Sequence, residues 1–113
     1  MMMMPKMTIT EKGRMTAPES EFKKKLIRDV IEPRGAFWSR IDQGGVAKPG
    51  DPDLIVCYKG RFIGVECKTY NGSLRPLQIR RIKEIKDAGG ICIVARCNKD
   101  LESVFEEIDG EIE

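Results

Sequence analysis

The stretch from Asp53 to Lys68 constrains this chain more than any other. Two apolar runs, Leu54-Ile55-Val56-Cys57-Tyr58 and Arg61-Phe62-Ile63-Gly64-Val65, flank the dipeptide Lys59-Gly60, and a two-residue connection ending in glycine is the spacing of a tight β-hairpin. Such a turn dictates the register: Tyr58 pairs with Arg61, Val56 with Ile63, and Asp53 with Glu66. Directly opposed residues on antiparallel strands hold their Cβ atoms about 4.5–5.5 Å apart, and side chains alternate faces with a period of two. Asp53, Glu66 and Lys68 are therefore expected on one face at one strand end. Two opposed carboxylates repel unless a cation lies between them, so a divalent metal is the expected companion of this pair. The plainer reading is an ordinary Glu66–Lys68 ion pair with Asp53 serving a Pro-Asp turn. The conjunction of Gly50-Asp51-Pro52-Asp53, two apolar runs across a tight turn and Glu66-Cys67-Lys68 favours the chemical reading.

A chain of 113 residues, 41% of them hydrophobic, suits one domain with one core. No stretch approaches the roughly 18 uninterrupted apolar residues of a membrane span, and the Met-rich start lacks the apolar segment of a signal peptide. The expected setting is inside a cell. Cys57, Cys67, Cys92 and Cys97 lie in apolar runs without a C-x-x-C pair, which predicts buried reduced thiols rather than disulfides or a zinc site.

There is no histidine, which excludes Ser-His-Asp triads, histidine-dependent metal sites and Cys/His zinc fingers. Chemistry here must rest on carboxylates, lysine and metal. The formal charge is +2, yet residues 100–113 hold seven acids and no base. The rest of the chain carries 20 bases against 11 acids (18 less 7), a formal +9. A basic body suits a polyanion such as nucleic acid, although solvated Lys and Arg faces are common.

Residues 1–15 show no apolar periodicity and read as a flexible leader. A first helix is predicted from Pro18 to Glu32, with Phe22, Leu26, Ile27 and Val30 on one stripe, Lys23, Lys24, Lys25 and Arg28 pointing largely elsewhere, and Pro33 forcing its end. Ala36–Ile41 reads as a strand; of the adjacent Phe37 and Trp38, one belongs to the core and the other could stack on a base or a second subunit. Asp42–Gly50 is a loop. After the hairpin, Pro76 opens a second helix whose Ile79, Ile82, Ile85 and Ala88 are expected to face the core, and Gly89-Gly90 stops it. Ile91–Cys97 is a buried strand, and a last helix capped by Asn98 or Asp100 follows, with Leu101, Val104, Phe105 and Ile108 on one face. The order is αβββαβα. The crossover from the Phe62 strand to the Ile91 strand makes that pair parallel, so the sheet is mixed.

Phosphodiester hydrolysis needs a cation to neutralise developing charge, an activated water, and alignment of attack with the leaving oxygen. Hard cations take oxygen ligands. Asp53 and Glu66 are suited to hold Mg²⁺ or Mn²⁺, with the main-chain carbonyl of Cys67 as a further ligand and the Cys67 side chain on the opposite face. Lys68 could orient the water or stabilise the charged transition state.

These residues resemble the virus-type replication-repair nuclease (VRR-NUC) branch of the PD-(D/E)XK nuclease superfamily. The resemblance covers roughly residues 19–100: an acid opening the first helix, G-x-P-D at Gly50–Asp53, the glycine-bearing hairpin, E-x-K at Glu66–Lys68, Gln78 opening the next helix, and Gly89-Gly90. No single element is specific, but their joint order is a strong signal. The resemblance implies metal-dependent DNA hydrolysis, with small viral members similar to junction-resolving homodimers.

It also implies an acid on the first helix. Periodicity selects Glu19, which shares the stripe of Phe22, Leu26 and Ile27, over Glu21 on the far side. Thr16-Ala17-Pro18-Glu19 reads equally well as a capping box in which Glu19 merely bonds backbone N–H groups. Gln78 lies four before Ile82, from where its amide can reach the carboxylates, water or phosphate, against the plain alternative of a solvated glutamine. Arg75 stands where a Ser or Thr cap would be natural, either weakening the helix start or contacting phosphate. Arg40 and Lys48 lie where a DNA backbone could pass, or are solubilising charges.

The expectation is thus an α/β, restriction-endonuclease-like αβββαβα domain over residues 16–109, a mixed sheet flanked by helices, between the leader and an acidic tail at 110–113. The expected activity is that of an Mg²⁺- or Mn²⁺-dependent DNA endonuclease, selective for branched DNA in the manner of a Holliday-junction resolvase and acting as a homodimer. The rival is a nucleic-acid-binding or assembly module of the same fold without turnover.

Overall fold

The computed structural model describes residues 18–41 and 48–112. The leader at 1–15 and the glycine loop at 42–47 lie outside them.

The hairpin organises the molecule. Lys59 and Gly60 have consecutive positive φ values of 50° and 81°, the backbone of a turn whose twist matches that of the strands it joins. That turn sets β2 (Leu54–Tyr58) against β3 (Arg61–Cys67) with Tyr58 opposite Arg61, Val56 opposite Ile63 and Leu54 opposite Val65. The next step along this register brings Asp53 to Glu66. β1 (Phe37–Arg40) pairs antiparallel with β2, and β4 (Ile91–Ala95) pairs parallel with β3, giving a mixed sheet in the order β1-β2-β3-β4.

One face of the sheet carries the main core. Val56, Ile63, Val65, Cys67 and Ala95 pack against Phe22, Leu26 and Ile31 from the first helical segment and Leu101, Phe105 and Ile108 from the last. The first helix covers the predicted span but changes its winding: α1 (Glu19–Leu26) passes into a wide π turn at Ile27–Ile31 and a 3-10 turn at Glu32–Arg34. Pro33 lacks the N–H that would continue the α-helical ladder, and the wide turn keeps Ile27, Val30 and Ile31 all buried. Trp38 packs at the core margin, whereas Phe37 on the opposite face is 65% exposed.

α2 (Pro76–Asp87) lies over the other face, where Ile85 meets the side-chain-free Gly64. Its inward line differs from the predicted one: Ile79 is 55% exposed, Ala88 is exposed, Ile82 and Ile85 are half-buried, and the fully buried residue is Gln78. Residues 78, 82 and 85 form an i, i+4, i+7 line that keeps Ile82 and Ile85 of the expected stripe and has Gln78 in place of Ile79, and the hydrogen bond that Gln78 makes beneath the helix selects it. α2 leaves much of this face uncovered, so Cys57 is exposed; Cys97, just before the last helix, is only partly buried, and of the four thiols predicted to be buried, Cys67 and Cys92 are.

α3 (Asn98–Ile112) begins with the Asp100 carboxylate accepting from the N–H groups of Arg96 and Cys97 at 2.8 and 3.3 Å, the return half of a capping box. It runs on through Gly110, and Glu111 within it pairs with Arg61 at 3.1 Å, so the start of the expected acidic tail continues this helix. None of the described helices is long and apolar enough to cross a membrane.

Asp109 ties α3 to the turn end of the hairpin. Its carboxylate accepts from Tyr58 Oη at 2.8 Å, Lys59 Nζ at 2.6 Å and Arg34 Nη1 at 2.9 Å. Lys59 and Tyr58 hold the Asp109 carboxyl below its ordinary pKa. Because the folded-state pKa is depressed, this contribution to stability is present above about pH 4 and fades as pH falls through the folded value. Asp109→Asn is expected to lower the thermal midpoint by a few degrees at pH 7, with the gap to wild type narrowing as pH falls below about 4; a pH-independent gap would mean that the charge plays no part.

Candidate active site

The strand ends opposite the hairpin turn gather the polar residues. Asp53 directly precedes β2 and extends the sheet, its carbonyl accepting from the N–H of Ile41 at 2.9 Å. Its side chain turns towards β3, where Oδ2 accepts from the N–H of Cys67 at 2.8 Å. Glu66, its opposite number, is 3% exposed. Gln78 Nε2 donates to Glu66 Oε2 at 2.7 Å, and Lys68 Nζ stands 3.6 Å from the same oxygen. The Gln78 amide is held from behind, because its Oε1 accepts from the N–H of Arg75 at 2.8 Å. The glutamine thus closes the N-terminus of α2 and reaches into the site with the same group. The Cys67 side chain is buried in the main core, on the other side of the strand.

Charge in this pocket is unbalanced. Burial, and secondarily the neighbouring Asp53 carboxylate, push the Glu66 carboxyl up to about 7, against the pull of Lys68. Glu19 raises it further and so belongs to the same electrostatic neighbourhood. Glu19 is half-buried at the start of α1; Thr16, its partner in the alternative capping reading, lies outside the described residues. Burial also drives the Cys67 thiol well above its ordinary value, which keeps it protonated.

Three features of the site escaped the sequence reading. Lys23, expected among the solvated lysines, is 5% exposed, with Nζ 3.5 Å from Asp53 Oδ1. Periodicity could have found it, since Lys23 precedes Leu26, Ile27 and Val30 by three, four and seven residues. Second, Arg81 Nε on α2 pairs with Asp51 Oδ1 at 3.3 Å, while the N–H of Lys48 donates to Asp51 Oδ2 at 2.9 Å. This fixes the Gly50–Asp53 segment to the helix that presents Gln78. Third, Arg96 Nη1 donates to the carbonyls of Thr69, Tyr70 and Gly72 at 2.8, 3.2 and 2.6 Å, pinning the loop that follows Lys68.

The residues proposed to touch nucleic acid are more scattered. Arg40 is half-buried at the end of β1, Lys48 is exposed beside Asp51, and Arg75 is exposed at the start of α2.

Comparison with solved structures adds the fold relationship. A structure described as a VRR_NUC domain superposes with a TM-score of 0.65 at 24% identity, over 78% of this chain and 94% of that one. This chain has the VRR_NUC fold. No family model matches its sequence, nor does any curated protein. Within the VRR_NUC fold, the αβββαβα order and mixed sheet place Asp53, Glu66, Lys68 and Gln78 at one end, with α1 bringing Glu19 and Lys23 to it.

Among the described residues no three Cys, Asp or Glu side chains form a ready-made metal cage. The donor chemistry nevertheless fits a hard divalent cation that keeps several of its waters and takes one or two carboxylates from the protein. Glu66 supplies the physical test: a buried carboxyl whose charge is opposed by burial and by a second carboxylate is a position that an added cation stabilises.

Proposed function

We propose that the protein is a metal-dependent DNA nuclease whose site comprises Asp53, Glu66 and Lys68, assisted by Gln78 and Glu19. The observation that carries this reading is the buried Glu66 carboxylate, held by Gln78 and Lys68 and opposed to Asp53 at the same strand end. Asp53 and Glu66 would hold Mg²⁺ or Mn²⁺, with the Cys67 carbonyl as a further oxygen. When bound, that cation neutralises charge building on the phosphate and makes its coordinated water a better nucleophile. Gln78 locks the Glu66 carboxylate in one orientation. Lys68 presents an ammonium beside it, able to stabilise the pentacoordinate phosphorus of the transition state or orient the attacking water. The Asp51–Arg81 pair keeps the aspartate segment from drifting relative to Gln78.

The finer reading is cleavage of branched DNA by a homodimer. A four-way junction needs two incisions, hence two sites. Phe37, Cys57 and Phe62, cross-strand neighbours on the face that α2 leaves open, are all exposed and offer apolar area for a second copy. Arg40, Lys48 and Arg75 would contact the DNA backbone.

The Lys23–Asp53 ion pair favours the rival reading of a binding module, because it gives Asp53 a partner without metal. Incubation with linear, flapped and four-way DNA plus Mn²⁺ separates the two. The nuclease reading expects cleavage that EDTA abolishes and that Asp53→Asn and Lys68→Ala reduce by about 10²-fold or more, with folding and DNA binding retained. DNA that is bound but left uncut equally by wild type and variants would establish the binding module instead.

A further inference from the structure

We infer that Lys23 is a built-in counter-ion that occupies the aspartate side of the site and competes with a divalent cation for Asp53. The inference rests on the metal-dependent reading above and concerns how that site is loaded. A lysine that is 5% exposed requires a charged or strongly polar companion, since a buried ammonium without one is costly. Asp53 is one such companion, its Oδ1 lying 3.5 Å from Nζ. The other oxygen, Oδ2, already accepts from the Cys67 N–H at 2.8 Å. Both Asp53 oxygens are therefore engaged within the protein.

The two carboxylates differ in this respect. Glu66 has Lys68 at 3.6 Å, with the neutral Gln78 amide at 2.7 Å on the same oxygen; Asp53 has an ammonium on one oxygen and a main-chain amide on the other. Lys23 and Glu19 lie one helical turn apart on α1, and Lys23 pairs with the hairpin aspartate. A divalent ion approaching Asp53 Oδ1 meets a like-charged group a few ångström away, and at such separations inside a protein the repulsion is substantial. Lys23 thus holds Asp53 in place before metal arrives and weakens metal binding, which makes it a positioning residue.

The test is Mn²⁺ binding by calorimetry and thermal unfolding at pH 8, with and without Mn²⁺, on wild type, Lys23→Met, Lys23→Arg and Asp53→Asn. Methionine keeps the length of the side chain without its charge. Lys23→Met is expected to bind Mn²⁺ about tenfold or more tightly than wild type, to unfold at a lower temperature without metal, and to recover more of that loss on adding Mn²⁺. Lys23→Arg, which keeps the charge, is expected to retain wild-type affinity within about threefold. Without metal, the loss from Lys23→Met should largely vanish in an Asp53→Asn background.

Wild-type Mn²⁺ binding that Asp53→Asn abolishes, combined with unchanged or weaker binding by Lys23→Met, would overturn the counter-ion role while leaving the metal site standing. Absence of Mn²⁺ binding by wild type and by both Lys23 variants would overturn both readings. A metal-free cycle showing no coupling between positions 23 and 53 would overturn the counter-ion role whatever the metal does. If Lys23→Met does not fold, tighter Mn²⁺ binding by Lys23→Gln than by Lys23→Arg supports the role, and equal binding overturns it.

Discussion

Glu66→Gln is expected to abolish DNA cleavage and yet to raise the thermal midpoint of the metal-free protein at pH 8. The carboxyl titrates near 7 in the folded state, above its ordinary value of 4.5, because it is buried and faces Asp53. A folded state that binds the proton more tightly than the unfolded chain loses stability as pH rises between those two values. Below about pH 4.5 the group is neutral in both states and the penalty is absent; above about pH 7 it is fully present. At roughly 1.4 kcal/mol per tenfold change in proton activity, the penalty is on the order of 3 kcal/mol. Glutamine has the same shape and keeps an oxygen for Gln78 without carrying the charge, so the variant should gain several degrees at pH 8 and little at pH 4.5. Millimolar Mn²⁺ should reverse the order, since wild type gains a ligand-linked increment that the variant cannot. Unfolding scans across pH, with and without Mn²⁺, check all of this. A variant less stable than wild type at pH 8 without metal would refute the account of Glu66 as a strained buried charge.

Gly50→Ala should be severely destabilising and should cost cleavage as well. Gly50 has φ of 88°, and a Cβ there would lie 2.6 Å from the Leu77 carbonyl oxygen and 2.8 Å from its carbon. The left-handed backbone alone costs a non-glycine residue roughly 1–2 kcal/mol. The overlap is with main chain at the start of α2, which cannot rotate away as a side-chain tip would, so overpacking adds about 1–3 kcal/mol. Relief requires that the Gly50–Asp53 segment and the first turn of α2 separate, pulling Asp53 away from the helix that carries Gln78. Gly60→Ala is the control: its φ is 81°, but nothing lies within 4 Å of the added carbon, so it pays only the conformational cost. Denaturant titration should place Gly50→Ala well below Gly60→Ala, and the cleavage assay should separate them further. Equal stability of the two would show that the contact with Leu77 yields easily.

The readable and unreadable parts of this site divide on a physical line. The hairpin register was legible because a two-residue turn leaves one way to pair the strands, and the Asp53–Glu66 opposition follows from it. On α2 the inner positions Ile82 and Ile85 were legible and the first was not: Ile79 is more apolar than Gln78, and the bond from Gln78 to Glu66, twelve residues upstream, reverses the preference. Lys23 was overlooked for the related reason that composition outweighed periodicity: it stands among three consecutive lysines, yet its spacing to Leu26, Ile27 and Val30 is that of a core residue. Asp51–Arg81 and the grip of Arg96 on Thr69, Tyr70 and Gly72 join segments distant in the chain, and no local pattern encodes them. Glu19 sits between these cases, legible as a helix acid and brought near Glu66 by the packing of α1.

One oxygen of Asp53, Oδ2, is held by the amide of residue 67 rather than by a side chain. Every amino acid except proline supplies that donor, so the demand of the proposed site and the steric demand of the core act on different atoms of one residue. A designer could exchange the Cys67 thiol for another small apolar group, removing an oxidisable sulfur, and leave the aspartate aimed as before.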